Sequence, residues 1–404
     1  MKCGLLGRKL GHSYSPQIHS CLGDYSYVLF EREPEEIGDF LKTGDFTGLN
    51  VTVPYKKDVI PFLDELSPLS KKLGAVNTIV RRSDGSLVGH NTDYFGFLSM
   101  VRRSGLDVKG KKCLVLGSGG ASNTAVAVLQ ELGAKAVVIS RTGENNYENL
   151  DLHADTAVIV NTTPVGMYPN VGVSPVSLDG FSQLEGVLDV IYNPARTKLL
   201  LDAEKRGLAA MNGLWMLVAQ AKESAEWFTG SSISDGIIEE IYNTLKGRME
   251  NIVLVGMPGC GKSTLAAVLA EKLGRKAVDA DAEIVKLAGK SIPEIFTESG
   301  EAGFRALETK VLAELGKQSG LVIATGGGCV TRDENDPLLH QNGTIFWVKR
   351  DISLLPTDGR PLSQANKLEE MYQVREPMYR QFADRIIDNN GKIEDAVKSV
   401  LGGA

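Results

Sequence analysis

Cysteine is scarce in this chain of 404 residues. Five are scattered at positions 3, 21, 113, 260 and 329, an odd number with no CxxC spacing. That argues against a disulfide framework or a cysteine-built zinc site, and makes a reducing cytoplasm the expected setting. Long hydrophobic runs are missing too. None reaches the ~18 residues of a membrane span, and Arg8 interrupts the first apolar stretch before a signal-peptide core can form. Nor is there an excess of positive charge. The net charge of −6 is shared equally between residues 1–249 and 250–404, so neither half offers the basic surface that nucleic acid requires. Neither membrane nor nucleic acid is expected as a partner. What remains is an ordinary globular composition, 43% hydrophobic and 23% charged, on a chain long enough for two or three domains.

Strand-like runs alternate with helix-length segments almost throughout, the pattern of α/β domains with largely parallel sheets. Strands are expected at 48–53, 113–117, 136–140, 157–161, 186–191, 252–256, 321–325 and 344–348, with helices following most of them, as at 121–132 and 263–273. Two glycine loops interrupt the pattern, Leu116-Gly117-Ser118-Gly119-Gly120-Ala121 and Gly256-Met257-Pro258-Gly259-Cys260-Gly261-Lys262-Ser263. Their surroundings differ, so the chain reads as a fusion rather than a duplication. The joint is expected near 243–250, a short linker without Gly/Ser enrichment that leaves the halves little freedom.

In the first half, Gly117, Ser118, Gly119, Gly120, Ala121 and Ser122 lie between an apolar strand and a helix. Such a turn lets backbone N–H groups approach a pyrophosphate at the positive end of the helix dipole. Glycine-rich turns also arise from packing alone. The next strand ends in Arg141-Thr142. An acidic residue there would bind a ribose 2′-hydroxyl, whereas arginine suits a 2′-phosphate, which favours NADP over NAD. Four further groups place hydrogen-bonding side chains beside turn formers: 11–16 with Ser13 and Ser15, Asn50 to Lys56 with Thr52, 74–78 with Asn77, and Asn91-Thr92-Asp93. Singly each is only a turn. Jointly they suit a small polyhydroxylated acid, offering donors, acceptors and one cation.

In this order the groups resemble shikimate dehydrogenase over nearly all of residues 1–246. The resemblance continues through Asn161 to Met167 with Thr163, then Asp189 to Tyr192, and Asn212-Gly213 to Gln220. It implies a substrate domain at 1–92 completed by 213–245, a Rossmann-like NADP domain at 93–212, and reversible reduction of 3-dehydroshikimate to shikimate with NADPH. Lys56 and Asp93 would form the catalytic pair. Ser13, Ser15, Thr52, Asn77, Asp93, Tyr192 and Gln220 would hold the substrate, and residues 117–122, Arg141, Thr142, Thr163 and Gly213 the cofactor. Two departures stand out. Ser140 replaces the family's asparagine before Arg-Thr, and only about twenty residues separate Arg141 from the 161–167 motif, so a helix and a strand are expected to be trimmed. A second basic residue is absent, with Asn146-Tyr147 in the stretch.

The second loop is a full GxxxxGKS after a strand and before a helix. Gly256, Gly259, Cys260 and Gly261 cradle phosphates, Lys262 reaches the β/γ oxygens, and Ser263 is placed for Mg²⁺, with Thr264 next in line. The loop alone does not name the acceptor. Asp279 and Asp281 end the next strand, Phe304-Arg305 lies between Glu301 and Glu308, and Gly326-Gly327-Gly328 follows a strand. Arg360 and Arg375 come later, the first in a turn-rich stretch that suits a lid. This set resembles shikimate kinase from about 251 to 390, implying a P-loop α/β/α domain at 250–404. By that resemblance Ser263 and Asp279 hold Mg²⁺ and Asp281 binds the acceptor hydroxyl as base. Arg305, Arg375 and glycines 326–328 bind the shikimate carboxylate and line its pocket, and Arg360 closes on the phosphates of ATP.

The two resemblances agree on one metabolite, the product of the first reaction and substrate of the second. The alternatives are a first half that works on quinate as well, with NAD, a non-catalytic first half, and a regulatory P-loop switch in the second. Retention of Ser13 and Ser15 counts against the first, Lys56 and Asp93 against the second, and Arg305 and Arg375 against the third. Monomer and homodimer remain equally open.

Overall fold

The structure, a computed structural model, describes residues 1–11, 13–355 and 365–402. Arg360 therefore lies outside the described residues. The chain divides into two compact units: Met1–Val165, Ser174–Tyr192 and Asp202–Leu245 in the first, and Gly166–Val173, Asn193–Leu201 and Lys246–Ala404 in the second.

The first unit contains two sheets. One is built from β1 (Lys2–Gly7), β2 (Ser26–Glu31), β3 (Gly48–Val51), β4 (Glu65–Leu66), β5 (Thr78–Arg81) and β6 (Leu87–His90), in the order β2-β1-β3-β5-β6-β4. It is mixed rather than parallel, because β5 and β6 form a hairpin and β5 runs antiparallel to β3. Gly85, at φ +87°, turns the hairpin, while Asp84 accepts from the Ser86 N–H at 2.9 Å. The expected strand 48–53 stops at Val51. Pro54 has no N–H to offer a ladder, and Tyr55 N turns back to the Thr52 carbonyl.

The second sheet joins β7 (Lys112–Leu116), β8 (Lys135–Ile139), β9 (Val158–Asn161), β10 (Gly186–Asp189) and β11 (Ala209–Met211) in the all-parallel order β11-β10-β9-β7-β8. Residues 158–161 and 186–189 are buried throughout, as strands covered on both faces must be. Between β8 and β9 there is only one short 3₁₀ turn, Leu150–His153, so the expected trimming is real.

The second unit is one parallel sheet of β12 (Asn251–Val255), β13 (Lys276–Asp279), β14 (Leu321–Ala324), β15 (Gly343–Lys349) and β16 (Arg385–Asp388), ordered β13-β14-β12-β15-β16. Its core gathers Val253, Leu254, Ile323, Trp347 and Phe382 with the apolar faces of the flanking helices. The α/β class and parallel character read from the sequence hold here and in the second sheet. The segment 243–250 is almost wholly helical: a single residue, Glu250, separates the helix Gly236–Met249 from β12.

In both parallel sheets the strand carrying the glycine loop, β7 or β12, has neighbours reached by connections that leave in opposite directions. That is the switch point where open α/β sheets bind ligands beyond their strand ends.

Candidate active sites

In the first unit, the chain after β3 turns so that Lys56 faces the start of the helix Asp93–Ser104. The Lys56 carbonyl is fixed by Val76 N at 2.8 Å. Lys56 Nζ lies 2.6 Å from Asp93 Oδ2, with side-chain exposures of 23% and 10%. Asp93 is the first residue of its helix, where unpaired amides and the dipole favour a negative charge. Its other oxygen accepts from Asn77 Nδ2 at 3.0 Å, and Asn77 Nδ2 also reaches Gln220 Oε1 at 3.4 Å from the helix Leu214–Thr229. Four expected residues, Lys56, Asp93, Asn77 and Gln220, thus form one connected group. Ser15 N donates to Ser13 Oγ at 3.2 Å, and Tyr14 between them packs edge-on against Tyr192. Thr52 lies at the end of β3, its N–H bonded to the Leu6 carbonyl.

At the dinucleotide loop, Gly117 takes φ +109°, and a Cβ there would meet Thr162 Oγ1 at 2.9 Å and Thr163 Cγ2 at 3.1 Å. Thr163 is therefore packed directly on the loop. Gly119 differs: a Cβ would meet nothing within 4 Å, so its backbone faces open space at the start of the helix Gly120–Glu131, which no side chain caps. These free helix-end amides suit a pyrophosphate. Gly213 has a packing reason to be glycine, since a Cβ would collide with the Val190 backbone. Arg141 and Thr142 lie exposed just past β8, and among the described residues no carboxylate pairs with Arg141.

In the second unit Gly256, Gly259 and Gly261 all adopt positive φ, at +146°, +82° and +97°. The loop wraps Lys262 Nζ, which donates to the carbonyls of Gly256 (2.9 Å) and Met257 (3.0 Å). Cys260 is fully buried beneath the loop, its carbonyl accepting from Asn389 Nδ2 at 2.7 Å. Ser263 Oγ donates to Asp279 Oδ2 at 2.7 Å, and Asp279 caps the next helix through its other oxygen. No cluster of three or more His, Cys, Asp or Glu able to hold a metal occurs among the described residues. A hydroxyl and one carboxylate beside a phosphate loop are nonetheless the sparse protein set that Mg²⁺ takes when phosphates and water complete its shell.

A cavity of about 760 Å³ opens over this loop, lined among others by Lys262, Ser263, Thr264, Asp281, Arg305 and Arg375. Glycines 326–328 form its wall for a steric reason. A Cβ on Gly326 would meet Glu308 Oε1 at 2.6 Å and Asp281 Oδ1 at 2.7 Å, and one on Gly327 would meet Pro258 of the phosphate loop at 2.7 Å. Arg305 Nη1 pairs with Glu308 Oε2 at 2.6 Å and Arg375 Nη1 donates to the Gly327 carbonyl at 3.3 Å. Burial pushes the Glu308 carboxyl up, against the pull of the Arg305 guanidinium. Arg305 Nε and Glu308 Oε1 are buried with no protein partner among the described residues.

Sequence reasoning noted Glu308 only as a flanking acid. The signal was its position three residues after Arg305, which puts both on one helix face. Thr78 and Thr92 entered only as members of their motifs, and Ser224 was missed; all three are fully or almost fully buried behind Asn77.

These two geometries, a Lys–Asp pair beside a dinucleotide turn and a P-loop facing an arginine-lined pocket, define a dehydrogenase-type fold followed by a small-molecule kinase fold. Family models agree. The shikimate dehydrogenase substrate binding domain matches residues 5–79, and shikimate kinase matches residues 258–402. The shikimate dehydrogenase (NADP(+)) of Clostridium perfringens strain SM101 is 38% identical over 268 residues, covering 61% of this chain and 98% of that protein. Among solved structures, shikimate dehydrogenase 1 from Peptoclostridium difficile is 41% identical with TM-score 0.56, covering 61% of this chain and 97% of that one. A chorismate mutase/shikimate 5-dehydrogenase fusion protein from Clostridium acetobutylicum is 38% identical with TM-score 0.57, at the same coverages of 61% and 97%. The chain belongs to the shikimate dehydrogenase family and carries a shikimate kinase domain after it.

Proposed function

We infer that this protein is a bifunctional enzyme. It reduces 3-dehydroshikimate to shikimate with NADPH, and phosphorylates shikimate with ATP to shikimate 3-phosphate. The observation that carries this reading is the Lys56–Asp93 contact in one unit together with the Arg305 and Arg375 pocket in the other, because the same polyhydroxylated acid suits both. NADPH supplies the hydride, and ATP with Mg²⁺ supplies the phosphoryl group.

As negative charge grows on the ketone oxygen, Lys56 Nζ is placed to stabilise it and deliver a proton. Asp93 keeps Lys56 aimed, and Asn77 keeps Asp93 from turning away. Ser13, Ser15, Thr52, Tyr192 and Gln220 orient the substrate's hydroxyls and carboxylate. Gly117 to Ser122 form the pyrophosphate side of the cofactor site and Arg141-Thr142 the 2′-phosphate side, with Thr163 and Gly213 assigned to the same cofactor.

In the second site Arg305 and Arg375 clamp the shikimate carboxylate, an anion that planar guanidinium groups bind by paired hydrogen bonds. Glycines 326–328 let backbone approach the ring. Asp281 accepts the proton of the attacking hydroxyl, Lys262 offsets charge on the transferring group, and Ser263 with Asp279 holds Mg²⁺. Arg360 is assigned to the lid. None of the five cysteines is in a disulfide, and among the described residues no helix is long and apolar enough to cross a membrane. We place the enzyme in a reducing cytoplasm.

The test is a coupled assay on the full chain with 3-dehydroshikimate, NADPH and ATP. Formation of shikimate 3-phosphate that needs all three supports the reading. Phosphorylation of added shikimate without any NADPH oxidation would remove the dehydrogenase half.

A further inference from the structure

This inference rests on the dehydrogenase reading of the first unit. Ser224 is fully buried on the helix Leu214–Thr229, one turn beyond Gln220. Its Oγ lies 2.7 Å from Asn50 Nδ2 and 2.9 Å from each of Thr78 Oγ1, Thr92 Oγ1 and the Gln220 carbonyl. A serine hydroxyl has one proton and two lone pairs, so with the Gln220 carbonyl and the Asn50 amide served, only one of the two threonines can donate to it.

The Gln220 carbonyl can only accept, and takes the Ser224 proton. The Asn50 amide nitrogen can only donate, and fills one lone pair. One threonine proton fills the second lone pair and the other goes to Asn77 Oδ1; we assign the first to Thr92, because Asn77 Oδ1 lies 3.2 Å from Thr78 Oγ1 against 3.3 Å from Thr92 Oγ1. With its proton committed to Ser224, Thr92 Oγ1 accepts from Asn77 Nδ2 at 3.0 Å, and Thr92 N donates to Asn77 Oδ1 at 2.7 Å. The Asn77 amide is then held at both ends. Its remaining N–H reaches Asp93 Oδ1, opposite the oxygen that meets Lys56.

We propose that Ser224 is a positioning residue for the dehydrogenase. It sets the direction of the Thr92 hydroxyl and, through it, the Asn77 amide that holds the Asp93 carboxylate against Lys56. A buried serine that merely satisfies its helix would bond to the Gln220 carbonyl alone. This one also ties β3, β5 and the residue preceding Asp93 to the helix that carries Gln220.

The experiment compares full-length wild type, Ser224→Ala, Thr92→Val and the double variant in shikimate oxidation by NADP⁺. Each single change lowers kcat about tenfold, equivalent to about 1.4 kcal/mol, with KM for shikimate little changed. The double variant is no slower than the slower single, because both changes cut the same chain of bonds. Multiplying losses, or a folded Ser224→Ala protein with wild-type kcat and a lowered unfolding temperature, would overturn the proposal in favour of a purely structural serine. Thr92→Val, which keeps the side-chain shape, keeps the question answerable if Ser224→Ala folds poorly: wild-type kcat in that variant also overturns it. Absence of shikimate oxidation in wild type overturns the dehydrogenase reading itself, and this inference with it.

Discussion

Replacing Gly328 by alanine tests the acceptor pocket of the kinase with a single methyl group. Gly328 sits at φ −107°, ψ 4°, a conformation open to any residue, so the backbone gives no reason for glycine. The side chain of Arg305 does. A Cβ would fall 2.5 Å from Arg305 Nη1 and closer still to its Cζ and Nη2. A guanidinium on a free surface would swing aside at little cost. Arg305 is only 7% exposed, and leaving its place breaks the 2.6 Å contact with Glu308, whose carboxylate is completely buried. If Arg305 binds the shikimate carboxylate as proposed, the displaced group can no longer meet it squarely. A hydrogen bond to a charged group contributes about 1.5–3 kcal/mol, so KM for shikimate rises roughly 10- to 150-fold at 1.36 kcal/mol per decade. Initial rates with shikimate varied at saturating ATP, and the reverse, measure this. KM for ATP stays near wild type, because Lys262 and the 256–263 loop are untouched. Dehydrogenase activity of the same preparation reports on the first unit and stays constant. Equal rises in both kinase KM values would refute the placement of Arg305 on the acceptor side.

Three further outcomes are expected. Lys56→Ala lowers shikimate oxidation by about 10²–10⁴-fold, the usual worth of a positioned acid or base, with phosphorylation of added shikimate unchanged in a parallel assay. Arg141→Ala raises KM for NADP⁺ while leaving the weaker reaction with NAD⁺ where it was, measured as the ratio of the two kcat/KM values. His340 gives a pH dependence of stability. Burial disfavours its charge, but Asp336 at 2.9 Å and Asp384 at 3.2 Å outweigh this and push it from 6.5 up to about 9. A pKa raised in the folded state stabilises fully below 6.5 and is lost as pH climbs through about 9, a contribution of at most about 3 kcal/mol. Urea midpoints of the second unit should fall over that window, and His340→Gln should flatten the fall; a wild-type midpoint flat from pH 6 to above pH 9 would refute the assignment.

What could be read from the sequence follows from the kind of sheet. β7, β9, β10, β12, β14 and β15 are parallel strands buried on both faces, so each is a short apolar run that ends in a glycine or polar turn. They were placed to within a residue or two at most ends. β2, by contrast, lies at the edge of a mixed sheet with Val28 and Leu29 exposed, and β5 and β6 are four-residue hairpin arms. Strands of that kind carry too little periodicity to stand out. The chemistry-bearing loops were legible because glycine, lysine and paired acids mark them. The Ser224 network was not. Its bonds join residues 132, 146 and 174 positions apart, and a serine within an amphipathic helix looks like any other until the helix is docked.

The trimmed stretch after β8 shows why the loss of a strand and helix need not abolish cofactor recognition. β8 is left as an edge strand, and its continuation must satisfy its own polar groups. It does so locally. Ser140 N bonds the Asn145 carbonyl, Asn146 N bonds Asn149 Oδ1, Asn149 Nδ2 bonds the Glu144 carbonyl at 2.9 Å, and Asn145 Oδ1 meets His153 Nε2 at 3.1 Å. Amide side chains thus tie the loop down in place of the missing elements. Arg141 projects from this tied loop with no carboxylate partner among the described residues, so no ion pair must be broken before it meets a phosphate. An ordered anchor lowers the entropy lost on binding. With Arg141 proposed as the 2′-phosphate ligand, selection of NADP would depend on one arginine rather than two basic residues, which is why Arg141→Ala is expected to move the NADP⁺ to NAD⁺ ratio and little else.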